Sequence, residues 1–308
     1  MPRRTVIPLV VSVLLASCAA PSPAPGALPP GIEQARIPPV AASAFIYVRP
    51  PNGATFSHEA MGIEGLTAES ASVLLADDGR DHLARLAFAI TDDLGSMAPA
   101  APDGHWVDVL GDSLVTGPES AWGLSARAAW ERQDLVTIHS RFPDAWKDLV
   151  KAPRDPPSQP IAAGFVRNFG PLIKNLIGKA GADVPGLTSN LALLRIESVS
   201  FVAYSDRLDT LPLTVEPGLL EDESLSVLAI ADSAYPRAIV GWLFDRFVGT
   251  LDLADVRIDD WPARYRQVAS SVHVIILRHD ATLFFAIAPT RAGAEDLAGA
   301  VVRSVGGR

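Results

Sequence analysis

Past residue 40 the apolar positions of the chain fall into two spacings that alternate along it. Ala44-Phe-Ile-Tyr-Val48 is a short continuous apolar run, which predicts a buried strand, and Ser72-Val-Leu-Leu75 predicts another. An acidic turn then leads to Leu83, Leu86, Ala87 and Ile90, whose spacing of three and four predicts one face of a helix. His105 to Gly117 reads as a hairpin turning at Gly111-Asp112. Pro118 opens a further helix with Trp122, Ala126, Ala129 and Trp130 on one side. The order is strand, helix, hairpin, helix.

That order recurs. Ser226-Val-Leu228 repeats Ser72-Val-Leu74, and each leads through an acidic turn, Asp232-Ser233 or Asp77-Asp78, toward a helix. Residues 271–302 then read as strand, Asp-containing turn, strand, proline and helix, with Asp112 matched to Asp280 and Ser113 to Ala281. Between the copies lie predicted strands at Leu135 to His139, Ile161 to Val166 and Val199 to Tyr204. A helix there carries Phe169, Leu172, Ile173, Leu176 and Ile177 on one side, with Lys174 and Lys179 off it. Two units are too few for a solenoid, so the expected class is α+β: two similar subdomains, each a mainly antiparallel sheet with helices packed on it. The first unit spans 40–133 and the second, longer one 134–308.

The helix of the second copy is unusually apolar. Ile239, Val240, Leu243, Phe244, Phe247, Val248 and Leu251, with Trp242 beside them, form a face wide enough to pack on a sheet or line a cavity. The cavity alternative makes a carrier of lipid or another hydrophobic ligand the second functional reading.

The N-terminus follows a different rule. Arg3 and Arg4 precede an apolar run, Val6 to Leu15, interrupted by Pro8 and Ser12. About 10 apolar residues are too few for a helix to span a bilayer, which needs about 20, so this is a signal to be cut. Leu15-Ala16-Ser17 ends the run with small residues before Cys18, the only cysteine of 308 residues, so no intrachain disulfide can form. The tetrapeptide Leu15-Ala16-Ser17-Cys18 resembles the lipobox of bacterial lipoproteins. The resemblance covers the first 18 residues and implies that residues 1–17 are removed and that the Cys18 thiol carries diacylglycerol. It also implies acylation of the new amine. Two or three acyl chains at about 0.8 kcal/mol per buried methylene hold a protein firmly at a membrane. The implied location is the bacterial cell envelope, facing outward from the cytoplasm. Residues 18–39, with seven prolines and no apolar period, read as an extended tether.

A second, shorter resemblance starts at the proline-bounded Ala-x-x-Tyr-Val strand at 44–48. Residues 40–308 resemble an uncharacterised family of duplicated bacterial envelope proteins, which implies a fold type and no activity.

Charge narrows the partners. The formal net charge is −9, and it becomes −11 once Arg3 and Arg4 are removed with the signal. No basic stripe interrupts the acids, so a nucleic-acid partner is not expected. An acidic body is held off anionic headgroups unless a local patch attracts them.

Candidate chemistry centres on Gly111-Asp112-Ser113-Leu114. This tetrapeptide matches the first block of esterases of the Gly-Asp-Ser-Leu family, which place the serine just after their first strand and supply an Asp-x-x-His near the C-terminus. No Asp-x-x-His occurs here, and Ser113 lies far from the start of the chain. A serine hydroxyl without a base is a weak nucleophile, whereas Gly-Asp between two apolar strands has a structural reason as a turn. Asp77, Asp81 and His82 could face a metal, but acids there also cap a helix, and calcium-loop and His-Glu-x-x-His spacings are absent. The stretch Asp259-Asp-Trp-Pro-Ala-Arg-Tyr-Arg266 could hold a sugar or peptide, and reads first as a solvated loop. No catalytic residue, metal or cofactor is therefore expected. The sequence points to a lipid-anchored, non-enzymatic module that binds a lipid or protein ligand.

Overall fold

A computed structural model of the chain describes residues 28–29, 31–49, 53–58, 63–77, 81–88, 94–98, 100–141, 158–167, 195–205, 225–248 and 253–305. The expected signal segment with Arg3, Arg4, Leu15, Ala16 and Ser17, the expected lipidation site Cys18 and the helix expected around Phe169 to Ile177 lie outside the described residues.

The strands in chain order begin with β1 (Arg36–Ile37), β2 (Ala44–Val48), β3 (Ala54–His58), β4 (Ile63–Ala68), β5 (Ser70–Leu75) and β6 (His82–Ala87). A short helix α1 (Leu94–Met97) precedes the hairpin β7 (His105–Leu110) and β8 (Ser113–Pro118), which is followed by α2 (Ala121–Glu131). After β9 (Val136–Thr137) come β10 (Pro160–Arg167), β11 (Ile196–Tyr204), β12 (Ser226–Ser233) and α3 (Arg237–Val248). The chain continues through β13 (Ala254–Ile258), β14 (Trp261–Ala269), β15 (Val272–His279) and β16 (Thr282–Ala288) into α4 (Arg291–Val305).

Twelve of these strands form one sheet in the order β13-β14-β15-β16-β12-β11-β10-β2-β5-β6-β8-β7, and every pairing in it is antiparallel. The class is α+β, as expected. The two halves meet in this one sheet, where β10 pairs with β2 on one side and with β11 on the other. That joint is tight: a Cβ on Gly164 would come within 2.3 Å of the Phe45 carbonyl oxygen and 2.9 Å of the Phe201 ring.

Side chains alternate across a strand, so the sheet sorts its apolar residues onto two faces. The front face carries Phe45, Leu74, Val115, Phe165, Leu228 and Phe284, and α2 and α4 cover it through Ala126, Trp130, Leu297 and Val301. The back face carries Ala231, Ile276 and Leu283 beneath Phe244 of α3, and Val48, Leu86 and Leu114 farther along.

Three sequence expectations change. The helix expected from Leu83 is strand β6: it pairs with β5 and β8, so Leu83 faces the front core while Ala84 and Leu86 face the back. Burial on both faces replaces alternation with a denser apolar run, and that run imitates helical spacing. The solvated loop expected at 259–266 is a hairpin. Asp259 and Asp260 form its two-residue turn, with φ of +45° and +68°, and Trp261 already pairs with Ile258.

The tether is also shorter than 18–39. Ile32, Ala35 and Ile37 are buried in the front core, β1 pairs with β9, and Trp122 donates its indole N–H to the Ala41 carbonyl at 2.7 Å. Folded structure therefore begins before residue 40. The apolar residues Ile32, Ala35 and Ile37 supply the reason, since each gains by leaving water.

Candidate functional site

The hairpin β7–β8 positions the esterase-like tetrapeptide. Leu110 pairs with Ser113, leaving Gly111-Asp112 as a two-residue turn, and Gly111 takes φ of +62°, which an L side chain adopts only under strain. Ser113 is 1% exposed on the front side of the sheet. Its hydroxyl donates to Asp112 Oδ1 at 2.7 Å and accepts from Arg85 Nε at 2.9 Å. Arg85 Nη2 also lies 3.5 Å from Asp112 Oδ1, closing a three-residue ring across β6 and the turn. The oxygen thus makes one donated and one accepted hydrogen bond, to a carboxylate and a guanidinium, and neither partner is a histidine.

The surroundings are equally occupied. Trp106 donates its indole N–H to the Pro118 carbonyl at 3.0 Å and fills the space over Gly117. Arg127 of α2 lies 2.8 Å from Asp108 of β7 and 5.6 Å from the Trp106 ring centre, fastening the helix to the hairpin. Ser120 caps α2 by accepting from the Gly123 N–H at 3.1 Å, and its own hydroxyl donates to Asp81. Asp81 therefore ties the β5–β6 hairpin to the start of α2, not a helix start of its own. Among the described residues no group of three or more His, Cys, Asp and Glu side chains could hold a metal ion.

The second hairpin overturns one detail of the sequence comparison. In β15–β16, His279 pairs with Thr282, so the turn is Asp280-Ala281 and Asp280 has the positive φ, +57°. Matched by geometry, Gly111 corresponds to Asp280, Asp112 to Ala281 and Ser113 to Thr282. The hydroxyl after the turn is kept and the acid is displaced by one position, contrary to the match by residue identity. What recurs is a hairpin whose inner strand leads into a helix on the front face, β7-β8-α2 and β15-β16-α4, together with the corresponding strands β5 and β12. Leu74 and Leu228 of those strands share the front core. The element after β5 is a strand and that after β12 is a helix, so the two halves differ there.

The aromatic and basic residues of 259–266 join a cross-strand ladder. Trp261 stacks on His279 with ring centres 5.4 Å apart, and Tyr265 shares a 2.8 Å hydrogen bond with His273 Nδ1 beneath Arg291 of α4. The same strands carry a feature that the sequence reading missed. Arg264 and Arg266 lie opposite Ile276 and Val274, so they share the back face on which α3 packs, and Asp255, Arg257 and Arg278 follow by register. The signal was the alternation Arg257, Arg264, Arg266, which becomes visible only once 254–269 is recognised as a hairpin.

α3 itself divides into two sides. Val240 and Phe244 are buried against the sheet, whereas Ile239 and Trp242 are 43% and 61% exposed. Arg246 lies 5.7 Å from the Trp242 ring centre on that outer side. Among the described residues no helix is long and apolar enough to cross a membrane.

Fold and site together define an α+β protein built on one antiparallel sheet, with its esterase-like motif embedded in a hairpin. No protein-family model matches the chain, and no curated protein matches it. Two solved structures of TP0453, a lipoprotein of Treponema pallidum, are similar to it. Crystal form I is 11% identical, with a TM-score of 0.39, covering 86% of this chain and 95% of that one. Crystal form III is 10% identical, with a TM-score of 0.42, covering 91% and 99%. Likeness at this level says nothing about what this chain binds or does.

Proposed function

We propose that this is a lipid-anchored protein of the bacterial cell envelope, held through Cys18, whose folded body is a non-enzymatic binding or interaction module. The observation that carries the non-enzymatic reading is the ring Ser113, Asp112, Arg85: the hydroxyl is buried, donated to a neighbouring carboxylate and capped by a guanidinium. A hydroxyl so placed links β6 to the β7–β8 turn, and its chemistry is that of a structural hydrogen bond. The anchored reading is carried by the charge, apolar length, small residues and cysteine that coincide in residues 3–18.

The two parts are tested separately. Cells fed an alkyne fatty acid should label the wild-type chain and leave the Cys18→Ala chain unlabelled; label on Cys18→Ala would remove the anchor from the account. Purified protein should hydrolyse a short-chain nitrophenyl ester no faster than buffer. Ser113→Ala should lower stability by about 1–2 kcal/mol, because the Arg85 donor loses its acceptor. Hydrolysis by the wild type that disappears in Ser113→Ala would make the protein an esterase.

A further inference from the structure

α3 has an apolar side too many. Its core side is accounted for by Val240 and Phe244, yet the opposite side presents Ile239 and Trp242 to solvent, where a surface helix ordinarily carries polar residues. The charge beside it is equally out of keeping with the chain. Arg246 on the helix and Arg257, Arg264, Arg266 and Arg278 on β13–β15 share the back-face side, against Asp245 and Asp255 among the described residues. Arg246, Arg257 and Arg278 are exposed, Arg278 lies against Gly241 of α3, and Arg264 pairs with Asp255. Among its described residues, a chain of net charge −9 thus gathers a net positive strip along one exposed, tryptophan-bearing helix.

We propose that this strip, the outer side of α3 with the arginines of β13–β15, is a docking surface for an anionic phospholipid bilayer. Tryptophan settles at the headgroup level of a bilayer, and each arginine near an anionic surface contributes about 1 kcal/mol. Arg246 beside Trp242 places a cation and an interfacial aromatic at one point. A second copy of the chain fits the patch poorly, since a two-fold contact would set the arginine strip against itself. The proposal does not rest on lipidation at Cys18. A lipid anchor would raise the effective concentration of the patch at the membrane, whereas the patch alone would recruit the chain reversibly.

The test uses the full chain carrying Ala238→Cys, an exposed α3 position, with a thiol-reactive fluorophore, in vesicles that contain a lipid bearing a quencher near the headgroup. Intact mass counts the labels, one per chain if Cys18 is already a thioether and two if its thiol is free, so failure of the anchor is distinguished from failure of the patch. With phosphatidylglycerol at about a third of the lipid, the α3 label should be quenched. Quenching should be lost in pure phosphatidylcholine and at about 1 M salt, where the screening length falls to about 3 Å. Arg246→Gln or Arg257→Gln should weaken docking roughly fivefold each, and the pair roughly 25-fold, with an unchanged circular dichroism spectrum. Equal quenching in neutral and anionic vesicles, or no response to the paired substitution, would overturn the proposal. So would a label shielded without vesicles in a particle of doubled mass, which would assign the surface to a second copy.

Discussion

Gly111 shows how one residue's backbone decides the meaning of a motif. In the β7–β8 and β15–β16 turns the first position lies at positive φ, and the chain fills it with Gly111 in one and with Asp280 in the other. Nothing lies within 4 Å of a Cβ built on Gly111, so Gly111→Ala isolates the backbone term. It should destabilise the protein by about 1–2 kcal/mol, with Gly111→Asn costing less because asparagine tolerates that region, both measured by urea denaturation. The presence of a turn was legible from Gly-Asp between apolar strands. Its alignment with the second copy was not, because matching aspartate to aspartate ignores which position must carry the positive φ.

Tyr204 supplies a pH dependence at the same scale. Burial in the front core holds its phenol neutral and raises its pKa well above the ordinary value of 10.0. The folded pKa exceeds the unfolded one, so this contribution is fully present below about pH 10 and is lost as pH rises beyond it. Between the two pKa values the unfolded chain releases a proton that the native chain keeps, and stability should fall by about 1.4 kcal/mol per pH unit. Tyr204→Phe should remove that share of the slope, as read from denaturation midpoints taken across the alkaline range.

At the scale of elements, α3 is the sharpest check on the packing. Phe244→Ala should cost about 3–5 kcal/mol through lost burial and the cavity it leaves, whereas Trp242→Ala should stay within about 0.5 kcal/mol in detergent-free solution. Comparable costs at both positions would mean that the outer side of the helix is covered by protein. The helices α2, α3 and α4 were legible because each carries an apolar core stripe at helical spacing, Trp122, Ala126, Ala129 and Trp130 in α2 for example. Strand β6 was not legible, because a strand with sheet neighbours on both sides and cores on both faces loses its alternation. β13 and β14 were hidden by their own polarity. Asp255, Arg257, Arg264 and Arg266 point to the back face at the sheet's end, where the arginines also form the surface that composition alone concealed.

For the whole molecule, alternating strand and helix signals led to the right class, while the joining of the two halves in one sheet was not legible. The recurrence of hairpin and helix is real in the geometry, but β10 and β11 weld the two halves into one sheet. Such long-range pairing has no local sequence signature. The α+β body includes Ile32, close behind Cys18, so the proposed anchor would hold it near a membrane, and Ser113 of the one motif that suggested catalysis is buried. That account stands or falls on the first residue of the mature chain. Intact mass and N-terminal peptide analysis of the protein extracted from bacterial membranes should find a chain beginning at Cys18, with residues 1–17 absent and diacylglycerol on its sulfur. A mature chain that begins elsewhere, or that retains a free Cys18 thiol, would contradict it.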